Sequence, residues 1–433
     1  MSADRRREPA SLPPPARRWH RLFSSLQERP YRRFAPGLMA STTALWMQRV
    51  AQDWLMLETT GSSALVGLLA VFQFGPMLVF GIWGGIIVDR YKTKSLLLIT
   101  QGGMLAVYAW LAIAVAVSGQ VPPAVLFVAA AAIGWLAPID QPARAVFVGE
   151  LVGMRALPNA IAMNASIFQL GMTIGAAIGG SLLPVSPVLP FLGSVVLAVY
   201  SFGTILSIRT RTLHPRARAP RARGQVAETF RYVAAKPPIL WTLFVVTFVS
   251  LIGLNWSVLL SAMADREFAT GGTGYGLYTA ALSVGSLVGA VIALSRVSVR
   301  LRSVYLATLL FMTCKLLASF APNSVVFVVL IGLAGAGLVL MWTAANTLLQ
   351  TLSSPSIRGR VLSLYMLIAN GAQAFGGPLL GWITERWGAR VGFAVSGGVP
   401  LLATVVSGWL LASRRGGLRE VIADRGDLPG EPD

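Results

Sequence analysis

Three placements of opposite charge could do chemistry in an otherwise apolar chain. Arg49 and Asp53 stand four residues apart in WMQRVAQDWLML, with Gln48 and Gln52 beside them, and at helical spacing both fall on one face. Asp89 and Arg90 are adjacent in GIWGGIIVDRYKTK, ahead of Lys92 and Lys94, and Asp140 precedes Arg144 by four residues in PIDQPAR. A carboxylate beside a cation can carry a proton, bind a cation, or link two helices reversibly. Ionisable groups at membrane depth cost about 2.5 to 3.5 kcal/mol each on insertion scales, so such placements mark functional candidates. Arg49 and Asp53 are therefore expected to form a coupling site for a proton or cation, provided the pair separates during a cycle; the alternative is a static pair that orients one helix.

Helices in a bilayer must position these charges. Of 433 residues, 55% are hydrophobic and only 12% charged, far from a soluble domain. Runs of roughly 20 apolar residues predict spans 1 to 6 at 35–58, 64–88, 95–117, 122–142, 157–183 and 188–208, and spans 7 to 12 at 238–262, 273–295, 303–320, 324–350, 361–384 and 391–413. The expected architecture is all-α, twelve spans in two six-helix bundles (35–208 and 238–413). A basic tail (1–34), a basic linker (209–237) and a C-terminal tail (414–433) complete it.

With alternating loops, 31 of the 36 Lys and Arg fall on one side, which places both termini in the cytoplasm. The net charge of +19 is thus topology, and no nucleic-acid partner is expected. Trp19, Leu22, Phe23 and Leu26 fall at helical spacing among arginines and could lie on an anionic leaflet, or the tail could be disordered. No cleavable secretion signal is visible. A lone Cys314, two histidines (His20 and His214) and no phosphate-binding glycine loop argue against a metal, a cofactor, nucleotide drive and catalysis. Lys315 is expected to extend to the headgroups from one turn inside span 9.

Span 5 carries Gly171, Gly175, Gly179 and Gly180, and span 11 reads GGPLLG from Gly376 to Gly381. Aligning Gly175 with Gly377 also aligns Gly179 with Gly381. Small residues four apart allow close helix packing, and their recurrence in corresponding spans points to duplication.

From about residue 35 to 413 the chain resembles the major facilitator superfamily. Gly85, Asp89, Arg90 and Lys94 match its loop between spans 2 and 3, usually G-x-x-x-D-R-x-G-R-(R/K), with Lys92 and Thr93 departing from it. Three further stretches, WMQRVAQDWLMLETTGSSALVGL, IDQPARAVF and SIRGRVLSLYMLIANG, resemble the branch of bacterial exporters that includes the enterobactin exporter and the transmembrane secretion effectors. The resemblance implies a cytoplasmic gate: Asp89 capping span 11, Arg90 holding that carboxylate, and Asp140 and Arg144 supporting it. Span 5 is similar to the glycine motif of the antiporter subfamilies with Ala176 in place of proline; Pro378 occupies the mirrored place in span 11. The membrane arginine usual in span 4 is absent, so its coupling role is not carried over.

The resemblance also implies that spans 1, 4, 7 and 10 line the cavity, where Trp46, Trp135, Asn255, Trp256, Trp342 and Asn346 are the candidate lining residues. Aromatic rings with a few amides suit a bulky, partly apolar ligand. The expected protein is a monomeric transporter in the inner membrane of a bacterium, exporting a small amphipathic molecule such as a drug or siderophore against protons. The alternatives are an uncoupled facilitator or importer, and a membrane sensor that binds without transporting.

Overall fold

The computed structural model describes residues 24–118, 121–209, 225–294, 300–354 and 357–414. Trp19, Leu22, Phe23, His20, His214 and the C-terminal tail beyond 414 lie outside the described residues. Every regular element among those described is helical.

The first group of helices comprises α1 (Arg29–Thr60), α2 (Ser63–Arg90), α3 (Thr93–Ser118), α4 (Pro123–Gly153), α5 (Asn159–Leu182) and α6 (Leu189–Ser207). A linker helix, Gln225–Ala235, leads to the second group. That group comprises α7 (Pro237–Glu267), α8 (Gly271–Leu294), α9 (Leu301–Ala318), α10 (Ser324–Leu352), α11 (Arg358–Gly371 and Gln373–Trp387) and α12 (Ala389–Arg414).

Ten of these helices are long and apolar enough to cross a membrane, rather than the twelve expected. The two that fall short are α1, which carries Gln48, Arg49, Gln52 and Asp53, and α11, which is divided at Ala372. Boundaries differ for local reasons. α1 begins at Arg29, inside the expected tail, because Pro30 suits a first turn and Tyr31 and Phe34 are buried. α4 continues past Pro142 because Ala143, Phe147, Leu151 and Val152 are buried, with Phe147 edge-on to Phe34 at 5.4 Å. It stops at Gly153, whose φ of 67° is a conformation natural to glycine. Between α1 and α2, Gly61 adopts φ 62° and returns its N–H to Leu57, while Ser62 caps α2 through Leu65 N–H at 3.3 Å.

α7 is the most irregular span. Its α-helix gives way to a π-helical turn over Val249–Gly253, breaks at Asn255, resumes over Trp256–Ala262 and ends in a second π-turn.

Glycines set how closely helices meet. On α5, Gly171 lies against Thr42 and Gly175 against the Thr43 backbone, while a Cβ at Gly179 would sit 2.8 Å from the Met47 carbonyl oxygen. The aligned pair on α11 does something else: Gly377 meets Gly67 of α2, and Gly381 meets Ser63 and Ala64. Pro378 follows within α11 beside Gly67. The two copies therefore pack differently, one within the first group and one between groups. Gly180 of α5 meets Gly276 of α8, completing a second contact between groups.

Overpacking a close helix contact costs about 1 to 3 kcal/mol. Gly175→Val is expected to lower the thermal unfolding midpoint of the solubilised protein by several degrees, while Gly85→Ala, with nothing within 4 Å of its Cβ position, leaves it unchanged. Equal midpoints for the two variants would refute this packing account.

Candidate functional site

Helix α1 carries the polar centre of the first group. Gln48 donates to Gln52, and Gln52 donates to the Leu126 carbonyl at 2.6 Å, which fixes α1 against α4. Asp53, 6% exposed, accepts from Gln73 of α2 at 3.2 Å, with Ser257 of α7 near its carboxylate. Its neighbours thus come from both groups. Next to it, Trp54 stacks on Tyr275 of α8 with ring centroids 5.3 Å apart.

The expected Arg49–Asp53 pair is not formed: among the described residues no ion pair joins them. Arg49 turns instead to the rings of Phe74, 4.7 Å away, and Trp46, 5.2 Å away. A shared helix face brings two side chains near each other, but the aromatic faces and Gln73 draw them apart.

Asp140 and Arg144 do pair. Asp140 also accepts from Thr100 at 2.7 Å and Gln101 at 2.8 Å, and Arg144 donates to Ser41 at 2.6 Å, which donates to Gln101 at 3.1 Å. This network ties α1, α3 and α4 within the first group. Its described contacts do not reach the second.

Asp89 and Arg90 lie exposed at the end of α2. The Lys94 ammonium donates to the carbonyls of Leu206 and Ile208 at 3.1 and 2.5 Å, meeting the unpaired carbonyls at the end of α6. Gly85 faces open space, and it is Gly84 that lets α2 approach the Pro138 carbonyl of α4.

The candidate lining residues divide. Trp135 is 54% exposed and packs on Phe80 at 4.2 Å, Trp342 is edge-on to Tyr365, and Asn346 accepts from Gln350 at 2.5 Å. Asn255 is buried at the break in α7, where it donates to Leu251 and abuts Gly376. Trp256 packs between Phe311 and Phe393. Both belong to helix packing rather than to an open surface.

Lys315 corrects a further expectation. It does not reach the headgroups but is 0% exposed, with its ammonium 4.0 Å from the Trp256 ring and donating to the Gly253 carbonyl at 2.6 Å. The π-turn of α7 leaves that carbonyl available.

Contacts between groups gather at the end holding the α1–α2 and α11–α12 loops. There Glu385 of α11 accepts from the Ser62 hydroxyl at 2.6 Å and the Ala64 N–H at 3.0 Å, capping α2. Arg266, at the end of α7, donates to the Gly61 carbonyl at 2.5 Å. Together with Gly67 against Gly377 and Gly180 against Gly276, they close this end. Sequence reasoning missed Glu385, Gln73 and Ser257. Gln73, a polar residue inside an apolar run, carried a readable signal; the partners of Glu385 and Ser257 lie far along the chain and carried none.

Comparison with known proteins agrees with this architecture. The family model described as transmembrane secretion effector matches residues 22–422. The chain is 27% identical to the enterobactin exporter EntS of Salmonella typhi over 88% of its length and 90% of that protein. It is 26% identical to the multidrug efflux pump Tap of Mycolicibacterium fortuitum, covering 83% and 90% respectively. A match to the staphyloferrin A transporter of Staphylococcus aureus, also 26% identical, spans 32% of this chain and 35% of that protein. Among solved structures, a D-xylose-proton symporter superposes with a TM-score of 0.67 at 12% identity, covering 89% of this chain and 97% of that one. The chain therefore belongs to the transmembrane secretion effector family and is a multi-pass membrane transporter of the major facilitator fold.

Proposed function

We propose that the protein is a secondary active exporter of small amphipathic compounds, in the range from drugs to siderophores, driven by inward proton flow. It works by alternating access, with twelve spans in two six-helix halves. The observation that carries this reading is the asymmetry of the contacts between helix groups: they seal one end with glycine crossings and a capping carboxylate, while Asp89 and Arg90 stand exposed at the other. Placing the sealed end outside gives an inward-facing state with both termini in the cytoplasm of a bacterial cell, consistent with the retention of Lys and Arg on that side. The activities for which the similar proteins are named, export of enterobactin and multidrug efflux, support the direction and the substrate range.

Asp53 is the proposed coupling carboxyl. It sits at the junction of the groups, and its neighbour from the second group, Ser257, is withdrawn when the sealed end opens. Opening that end gives Asp53 access to the outside, where it can load a proton. At the cytoplasmic end, Asp89 and Arg90 form the opposing link to α11 when that end closes, with Lys94, Asp140 and Arg144 holding α3, α4 and α6 in place beneath it.

Cells expressing the chain are expected to expel a subset of dyes, antibiotics or siderophores faster than cells without it; identical efflux and sensitivity across the three classes would sink the reading. In proteoliposomes, collapse of the proton gradient is expected to stop uphill export, and Asp53→Asn to flatten its dependence on pH. Undiminished export after collapse would favour a facilitator, while binding without accumulation would favour a sensor.

A carboxylate at a helix N-terminus contributes about 1 kcal/mol, equivalent to a population shift of ~5-fold. Glu385→Gln is expected to raise the outward-open fraction by that factor, read as longer distances between spin labels on the α1–α2 and α11–α12 loops. An unchanged distance distribution would remove Glu385 from the closure.

A further inference from the structure

We infer that Arg49 is the anchor of a binding site for an organic anion, so that the exported compound carries a carboxylate or a comparable acidic group on a planar ring. This deepens the export reading and rests on it for the word exported, though not for the site itself. The guanidinium is 9% exposed, and among the described residues it makes neither an ion pair nor a hydrogen bond; its Nε is buried with no partner. A buried charge in this condition is costly unless something else meets it.

The nearest carboxylate does not meet it. Asp53 is taken up by Gln73, with Ser257 close by. Around Arg49 stand further buried polar groups without partners. The Trp46 indole N–H is buried and unpaired, and the ring it belongs to lies 5.2 Å from the guanidinium. The Tyr108 hydroxyl of α3, also buried and unpaired, lies within electrostatic reach. A guanidinium and an indole N–H without partners fit an acceptor supplied by the ligand, and an ionised one forms the stronger bonds with a guanidinium.

Two aromatic faces define the rest of the site. Trp46 and Phe74 flank the guanidinium, and both are only partly buried. Flat rings beside a cation suit a planar anion whose ring stacks while its acid meets Arg49. A neutral ligand of the same shape would leave the guanidinium unmet.

The test uses the full-length protein in lipid nanodiscs, titrated with 2-naphthoate and with 2-naphthamide, which share a ring but differ in charge. Binding is followed by tryptophan fluorescence with protein-free nanodiscs subtracted. The wild type is expected to prefer the carboxylate by ~10-fold or more, the scale of a charge-assisted hydrogen bond. Arg49→Gln is expected to bring the two ligands to about the same affinity, and Arg49→Lys to keep part of the preference. Should Arg49→Gln fail to fold, Trp46→Phe keeps the ring and removes the donor, and is expected to weaken naphthoate alone by ~3-fold or more.

Equal affinities in the wild type, or a preference that survives Arg49→Gln, overturn the inference. So does a site filled by chloride, seen as stabilisation by chloride that is lost in Arg49→Gln with no naphthoate preference. These readouts are separate from transport. Efflux without anion preference leaves the export reading standing and removes this one, whereas anion binding without accumulation does the reverse.

Discussion

A charge carried into hydrocarbon must be met by another group of the protein, and this constraint orders the interior. Asp140 is met three times over, by Arg144, Thr100 and Gln101, and Arg144 is held in turn by Ser41. Lys315 is met by an aromatic face and by the carbonyl of Gly253, which a π-turn has released from its own helix. Asp53 is met by an amide from its own group, with a hydroxyl of the other close by. Arg49 is surrounded by rings and by polar groups without partners, and so stands apart from the pattern.

The other ordering constraint is steric. Where a glycine faces a glycine or a carbonyl, two helix axes approach more closely than any side chain would allow, and dispersion contacts rather than hydrophobic burial hold helices together in lipid. Gly171, Gly175 and Gly179 spend this closeness inside the first group, making α1 and α5 one body. Gly377 and Gly381 spend it between groups. A contact of the first kind is fixed, while one of the second kind can be exchanged for another as the groups move. Glycine spacing alone does not distinguish them, because the distinction depends on which helix lies opposite.

The same limit separates what was legible in the sequence from what was not. Hydropathy located the helices, because apolar length is a property of a single segment in a bilayer. Helix ends were less legible. α4 runs on past Pro142 since Phe147 finds Phe34, a partner more than a hundred residues away. Lys94 read as part of a gate loop, yet the carbonyls it meets are those of α6. Lys315 read as a residue that would escape to the surface, since nothing local announces a π-turn at Gly253. Gly85 carries the motif, but the register of α2 on α4 puts Gly84 at the contact. In each case the residue type was informative and its partner was not.

Arg49 and Asp53 are where these arguments meet. They lie one turn apart, ~6 Å along α1, and sequence spacing alone presents them as a couple. The folded chain separates their duties. Asp53 lies toward the sealed end, bonded to Gln73 of the first group and close to Ser257 of the second. Arg49 lies one turn nearer the end where Asp89 and Arg90 stand exposed, beside rings that are only partly buried. On the export reading, opening the sealed end exposes Asp53 to the outside, with Arg49 one turn away as an opposite charge on the same helix. An anion seated on Arg49 would compete for that same guanidinium. Proton and substrate then need no direct contact to influence each other, because each changes how much of one positive charge is left for the other.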